Sequence, residues 1–141
     1  MDKSVVISIS GMQFEVEDDN AIEVITTGDY YYKNEKHYVI YDEFLDGTED
    51  VTKNTIHFND KVFELKRKGA VNVHMVFDIN NKTMSNYATP FGNLVIGIDT
   101  SDIKITQSED SVSAEVSYAL DINYEYLTDC KLKLNIRSNK S

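Results

Sequence analysis

The sequence is poor in everything that would staple, break or anchor it: one cysteine, one proline, six glycines and no tryptophan. A single Cys130 excludes an intrachain disulfide and fits a reducing compartment. With Pro90 as the one proline, no Pro-rich linker divides the chain, and no repeat or low-complexity tract does so either. No apolar run approaches the roughly 20 residues of a membrane helix. Met1–Ser10 lacks the basic start and continuous apolar run of a signal peptide. Positive charge is also scarce, with 14 Lys and Arg against 24 Asp and Glu, net −10. Phosphate backbones and anionic lipid faces would be repelled, so neither nucleic acid nor membrane is an expected partner. The last strand is locally basic (Lys131, Lys133, Arg137, Lys140), which reads as one solvated face. These absences point to one soluble, cytoplasmic domain spanning residues 1–141. A chain of that length buries about two thirds of its unfolded surface and needs no metal or cofactor to fold.

What the sequence does have is alternation. Val5, Ile7 and Ile9 alternate with serines, and this strand is expected to continue past Gly11, a candidate bulge, towards Val16. Further strands are expected over Ala21–Tyr32 (with a kink at Gly28), His37–Phe44, Val51–Phe58, Lys61–Arg67, Val71–Phe77, Lys82–Ala88, Asn93–Thr106, Ser111–Tyr124 and Cys130–Arg137. Between them stand turn signals: Asn34-Glu35, Asp46-Gly47, Asn59-Asp60, Lys68-Gly69, Asn80-Asn81 and Thr128-Asp129. Asp42–Asp50 also admits a short helical turn. Pro90 and Gly92 bend the chain between two central strands, because Pro90 has no N–H for a ladder. Leu94, Ile96, Val116, Leu120, Leu132 and Leu134 are expected inside, and Glu115, Asp121, Lys131 and Lys133 outside. The reading is an all-β, mainly antiparallel meander. About 8–10 strands with one polar face each leave fewest open edges when closed into a barrel.

Several runs then resemble a known family. Gly28-Asp29-Tyr30-Tyr31-Tyr32-Lys33-Asn34, Thr52-Lys53-Asn54-Thr55-Ile56, Arg67-Lys68-Gly69, Thr89-Pro90-Phe91-Gly92 and Tyr118-Ala119-Leu120-Asp121-Ile122-Asn123 are similar to the YwiB-like family, also called DUF1934. The resemblance covers nearly the whole chain. It implies a lipocalin-like (calycin) barrel and no assigned activity. The Gly-x-Trp signature of secreted lipocalins is absent, since there is no tryptophan.

No catalytic constellation is visible. His37, His57 and His74 fall on three expected strands and read as surface or satisfied histidines, with His74 pointing outward, so no metal site is expected. Asp42-Glu43 and Glu49-Asp50 are neighbours on a strand or turn and point apart, so neither is an acid/base dyad. The informative residue is Arg67, on the apolar parity of Phe63 and Leu65. Asn54 shares the inward parity of Ile56 and Phe58, and Tyr118 that of its strand. A buried guanidinium needs a partner. Either Arg67 pairs with an internal carboxylate such as Glu43, or it joins Asn54 and Tyr118 in holding the head of a small anionic or amphiphilic ligand. Tyr41, Tyr87 and Lys53 are further candidates for that site. A barrel filled by its own side chains, serving as a structural or interaction module, is the alternative. Monomer and homodimer both stay open.

Overall fold

The computed structural model describes residues 3–11, 23–44, 51–69, 72–89 and 92–139. Ten strands run through them: β1 (Ser4–Ser10), β2 (Glu23–Lys33), β3 (Lys36–Phe44), β4 (Val51–Phe58), β5 (Val62–Lys68), β6 (Val73–Asp78), β7 (Thr83–Thr89), β8 (Gly92–Gln107), β9 (Ser111–Ile122) and β10 (Glu125–Ser138). No helix occurs among the described residues. The strands form one antiparallel sheet in the order β6-β5-β4-β3-β2-β1-β10-β9-β8-β7. The first and last strands pair, Ile7 opposite Ile136, and the sheet curls into a nearly closed barrel.

Turn chemistry follows the sequence closely. Asn34 and Glu35 both take positive φ (53° and 63°), which suits a two-residue hairpin with the twist of its strands. The Asn59 side chain accepts bonds from the Lys61 and Val62 amides, fixing the β4–β5 turn. Gly11 ends β1 at φ +84°, where a Cβ would lie 2.0 Å from the Lys131 carbonyl oxygen. Gly28 interrupts no register between β1 and β2, and the pairing of β2 with β3 begins just after it, at Asp29. Its missing side chain admits the Ile40 carbonyl, 2.5 Å from where a Cβ would sit.

Three expectations need correction. The last strand begins at Glu125, and Thr128-Asp129 lies inside it beside a bulge between Tyr126 and Thr128. The turn is Asn123-Tyr124, both at positive φ, so Tyr124 is exposed rather than inward. Asn tolerates the left-handed region, and that local preference outweighs one more alternating step. Asp42–Phe44 continues β3 and is not helical, while the rest of that stretch, with Asp46-Gly47, lies outside the described residues. Leu94 is half-buried rather than buried, whereas Ile96, Val116, Leu120, Leu132 and Leu134 are buried as expected. Lys131 and Lys133 are exposed, and Glu115 and Asp121 are half-buried on the outer face through contacts with Lys131 and Lys82. The continuation from Met12 to Val16, together with Pro90 and Lys140, lies outside the described residues.

The inward residues of β4, β5 and β6 form successive rows across the sheet. Phe58, Phe63 and Phe77 stand side by side near the turn end, each at 0% exposure. Ile56, Leu65 and Met75 form the next row, also buried. Asn54, Arg67 and Val73 form the third. The lumen wall therefore grades from aromatic to polar along its length. Burying each such phenylalanine contributes about 1.5–3 kcal/mol, so the aromatic end is the well-anchored one.

Candidate functional site

The polar end is built on three adjacent strands. Tyr41 of β3 lies opposite Asn54 of β4, and Asn54 opposite Arg67 of β5. Strict alternation brings all three to the inner face. Asn54 is fully buried, and its amide nitrogen donates to the Thr52 carbonyl at 3.4 Å. Arg67 finds the carboxylate that its inward parity demands. One terminal nitrogen donates to both oxygens of Glu43 at 3.0 Å. The pair is half-buried, with a quarter of the Arg67 side chain and a third of that of Glu43 exposed. Burial and the Glu43 charge push the Tyr41 phenol up to about 12, and Arg67 opposes them. Tyr41 is therefore a neutral hydroxyl at physiological pH.

Three polar atoms in this row are buried without a hydrogen-bond partner among the described residues: the Tyr41 hydroxyl, Asn54 Oδ1 and Arg67 Nε. Such groups are uncommon in folded proteins because each carries its full desolvation penalty. Together they present a hydroxyl, a carbonyl and an N–H. Thr100 Oγ1 is the remaining buried atom of this kind, across the barrel on β8.

The other sequence candidates go elsewhere. Tyr118 is buried on β9, where its hydroxyl donates to the Gly11 carbonyl at 3.3 Å and its ring meets Phe77 edge-on at 4.9 Å. Burial raises its pKa, with Cys130 beside it adding to the shift. None of these contacts is with Asn54 or Arg67. Lys53 is exposed on the outer face, between Asp42 on β3 and Lys68 on β5. The Tyr87 backbone lies in β7 opposite Leu94, and its side chain lies outside the described residues.

Sequence reasoning missed two clusters. His57 and His74, on different strands, both reach Glu64, at 3.0 and 2.6 Å. Burial lowers the His57 pKa, more than Glu64 restores it. Burial alone would raise the Glu64 carboxyl, but the His74 hydrogen bond and the neighbouring His57, His74 and Lys66 hold it below its usual range. His37 is buried, its Nδ1 2.7 Å from the Tyr30 hydroxyl, and burial lowers its pKa too. The His37 tautomer decides which of the two groups donates in this bond. The pairings of β4 with β5 and β5 with β6 were the missing information for the Glu64 cluster.

A third missed feature is the seam between the sheet's two edges. β6 and β7 follow one another through a turn closed by the Asp78–Asn81 bridge, yet among the described residues no ladder joins them. Instead Thr83 Oγ1 donates to the Val76 carbonyl, and Ser85 Oγ donates to the His74 carbonyl at 2.9 Å. Each such bond is worth about 1 kcal/mol net, so this is the weakest line in the wall.

Residues 7–134 match the family described as "Domain of unknown function (DUF1934)". The chain belongs to this family. It is also 29% identical over 113 residues to a curated Bacillus subtilis relative named "Uncharacterized beta-barrel protein YwiB", covering 78% of each chain. A solved structure, "Crystal structure of ywiB protein from Bacillus subtilis", superposes with a TM-score of 0.73 over 98% of this chain and 93% of that one, at 22% identity. That likeness establishes the family's barrel fold.

Proposed function

We propose that this is a binding protein that holds a small amphiphile in the polar end of its lumen. The observation that carries the reading is the Tyr41–Asn54–Arg67 row, three buried polar atoms without partners among the described residues on adjacent inward positions beside the apolar core. Because Glu43 already balances the Arg67 charge, the row suits a head that both donates and accepts hydrogen bonds. Ile56, Leu65 and Met75 in the next row offer contact for an apolar portion. A place among lipocalin-like barrels and a cytoplasmic setting, in keeping with one free cysteine, belong to the same proposal.

A filled barrel acting as an interaction module is the second reading. It is favoured by the contacting rings of Phe58, Phe63, Phe77 and Tyr118, which occupy the other end of the lumen. Mass spectrometry of gently released, as-purified protein separates the two. The binding reading expects a bound small molecule that denaturation frees and that Asn54→Leu diminishes. A bare chain mass, together with no uptake of a fluorescent amphiphile, overturns it in favour of the filled barrel.

A further inference from the structure

A cleft of about 550 Å³ lies where β5, β6 and β7 meet, between Lys66, Arg67 and Lys68 of β5, Val73 and His74 of β6 and Asn86 of β7. Its lining mixes the two faces of the sheet. Arg67 and Val73 are on the inward parity, while Lys66, Lys68 and His74 are on the outward one. It therefore lies at the seam, where residues of both faces meet. Arg67 belongs both to this cleft and to the polar row, and lies directly opposite Val73. The β5 and β6 sides of the cleft are held by their ladder, Lys66 opposite His74 and Arg67 opposite Val73, while across the seam the nearest bond is that of Ser85 Oγ to the His74 carbonyl at its rim.

The charge here runs against the net charge of the chain. Among the described residues, Lys53, Lys66, Arg67 and Lys68 meet three carboxylates, Asp42, Glu43 and Glu64, a net positive group in a chain of net −10. Lys53 and Lys68 stand directly across from one another, a pairing that costs stability unless an anion lies near it. A locally positive mouth in an acidic surface concentrates small anions.

We infer that the β6–β7 seam cleft is the entrance to the lumen and that it receives an anionic group of the ligand at Lys66 and Lys68. This rests on the lumen-binding reading. The ligand class is then an amphiphile carrying a carboxylate, sulfonate or phosphate. Its charge stays at the mouth while its polar and apolar parts meet the Asn54 and Ile56 rows.

The test uses two probes of the same aromatic skeleton, anionic 1-anilinonaphthalene-8-sulfonate and neutral N-phenyl-1-naphthylamine, with stopped-flow fluorescence. Thr83→Val/Ser85→Ala should speed association and dissociation of both probes together, by up to about thirtyfold, the rate equivalent of the two lost hydrogen bonds. The equilibrium constant should hold. Ser85→Ala alone serves as the milder variant if the pair melts early. Lys66→Gln/Lys68→Gln should slow association of the anionic probe about tenfold at low salt and leave the neutral one unchanged. Binding that Asn54→Leu weakens, with rates indifferent to the seam variants or a lysine effect equal for both probes, overturns the entrance and leaves lumen binding standing. No binding of either probe to the unaltered protein overturns the lumen reading and the entrance with it.

Discussion

The barrel is closed twice, by different means. At β1–β10, strands from the two ends of the sequence pair through six residues, from Val5 opposite Ser138 to Ser10 opposite Lys133. At β6–β7, strands that follow one another in sequence share a turn and then separate, held by two hydroxyl-to-carbonyl bonds. Sequence proximity therefore does not decide where the wall is strong. Side-chain chemistry does. β1 and β10 both carry unbroken inward aliphatics, Val5, Ile7 and Ile9 on one strand and Leu132, Leu134 and Ile136 on the other, with Ile7 beside Ile136 and Ile9 beside Leu134. The inward positions of β7 that face β6 are Thr83 and Ser85, whose hydroxyls bond carbonyls directly and take the place of ladder amides.

The sharpest way to break this contrast is at the strong closure. Ile136 is fully buried, opposite both Ile7 and Val112. Ile136→Ala should cost about 2–5 kcal/mol in a urea titration, because the cavity is walled by paired strands that cannot collapse. A loss below 1 kcal/mol would mean that the β1–β10 wall is no firmer than the seam.

A smaller loss is expected beside the seam. Arg67→Met strands the Glu43 carboxylate, which costs roughly 3–5 kcal/mol when a pair is fully buried. Both partners keep a quarter to a third of their exposure, so about 1–3 kcal/mol is expected here, read by thermal or urea melts. Unchanged or raised stability would show that the ion pair does not close this end.

The smallest effect is a pH slope confined to one closure. Burial places the folded His57 pKa below its ordinary 6.5. Its contribution is thus present above that value and lost as pH falls, since the unfolded chain binds the proton more readily. The Glu64 carboxyl is likewise held low, so its contribution is lost in the same direction at more acid pH. Both lie on strands leading to the seam. Amide exchange, corrected for intrinsic rates, should therefore gain more in β6 than in β1 between pH 7.5 and 5.5, values on either side of the ordinary histidine pKa. Equal gains would remove the distinction between the closures.

The sequence by itself determined the strands, their faces and most of their turns. Alternation of period two and the left-handed tolerance of Asn are properties of a few adjacent residues, which is why Val51–Phe58 and the Asn34-Glu35 turn are legible without a partner. The same local logic placed Arg67 inward, where its charge required a carboxylate. Only the tertiary structure decided between the roles open to Arg67, pairing it with Glu43, and gathered Tyr41 and Asn54 beside it while sending Tyr118 to Phe77. It also brought His57 and His74, 17 residues apart in the numbering, onto one Glu64, and left β6 and β7 unzipped. These outcomes depend on register and stagger between strands, which closing the barrel fixes all at once and which no short window of sequence carries.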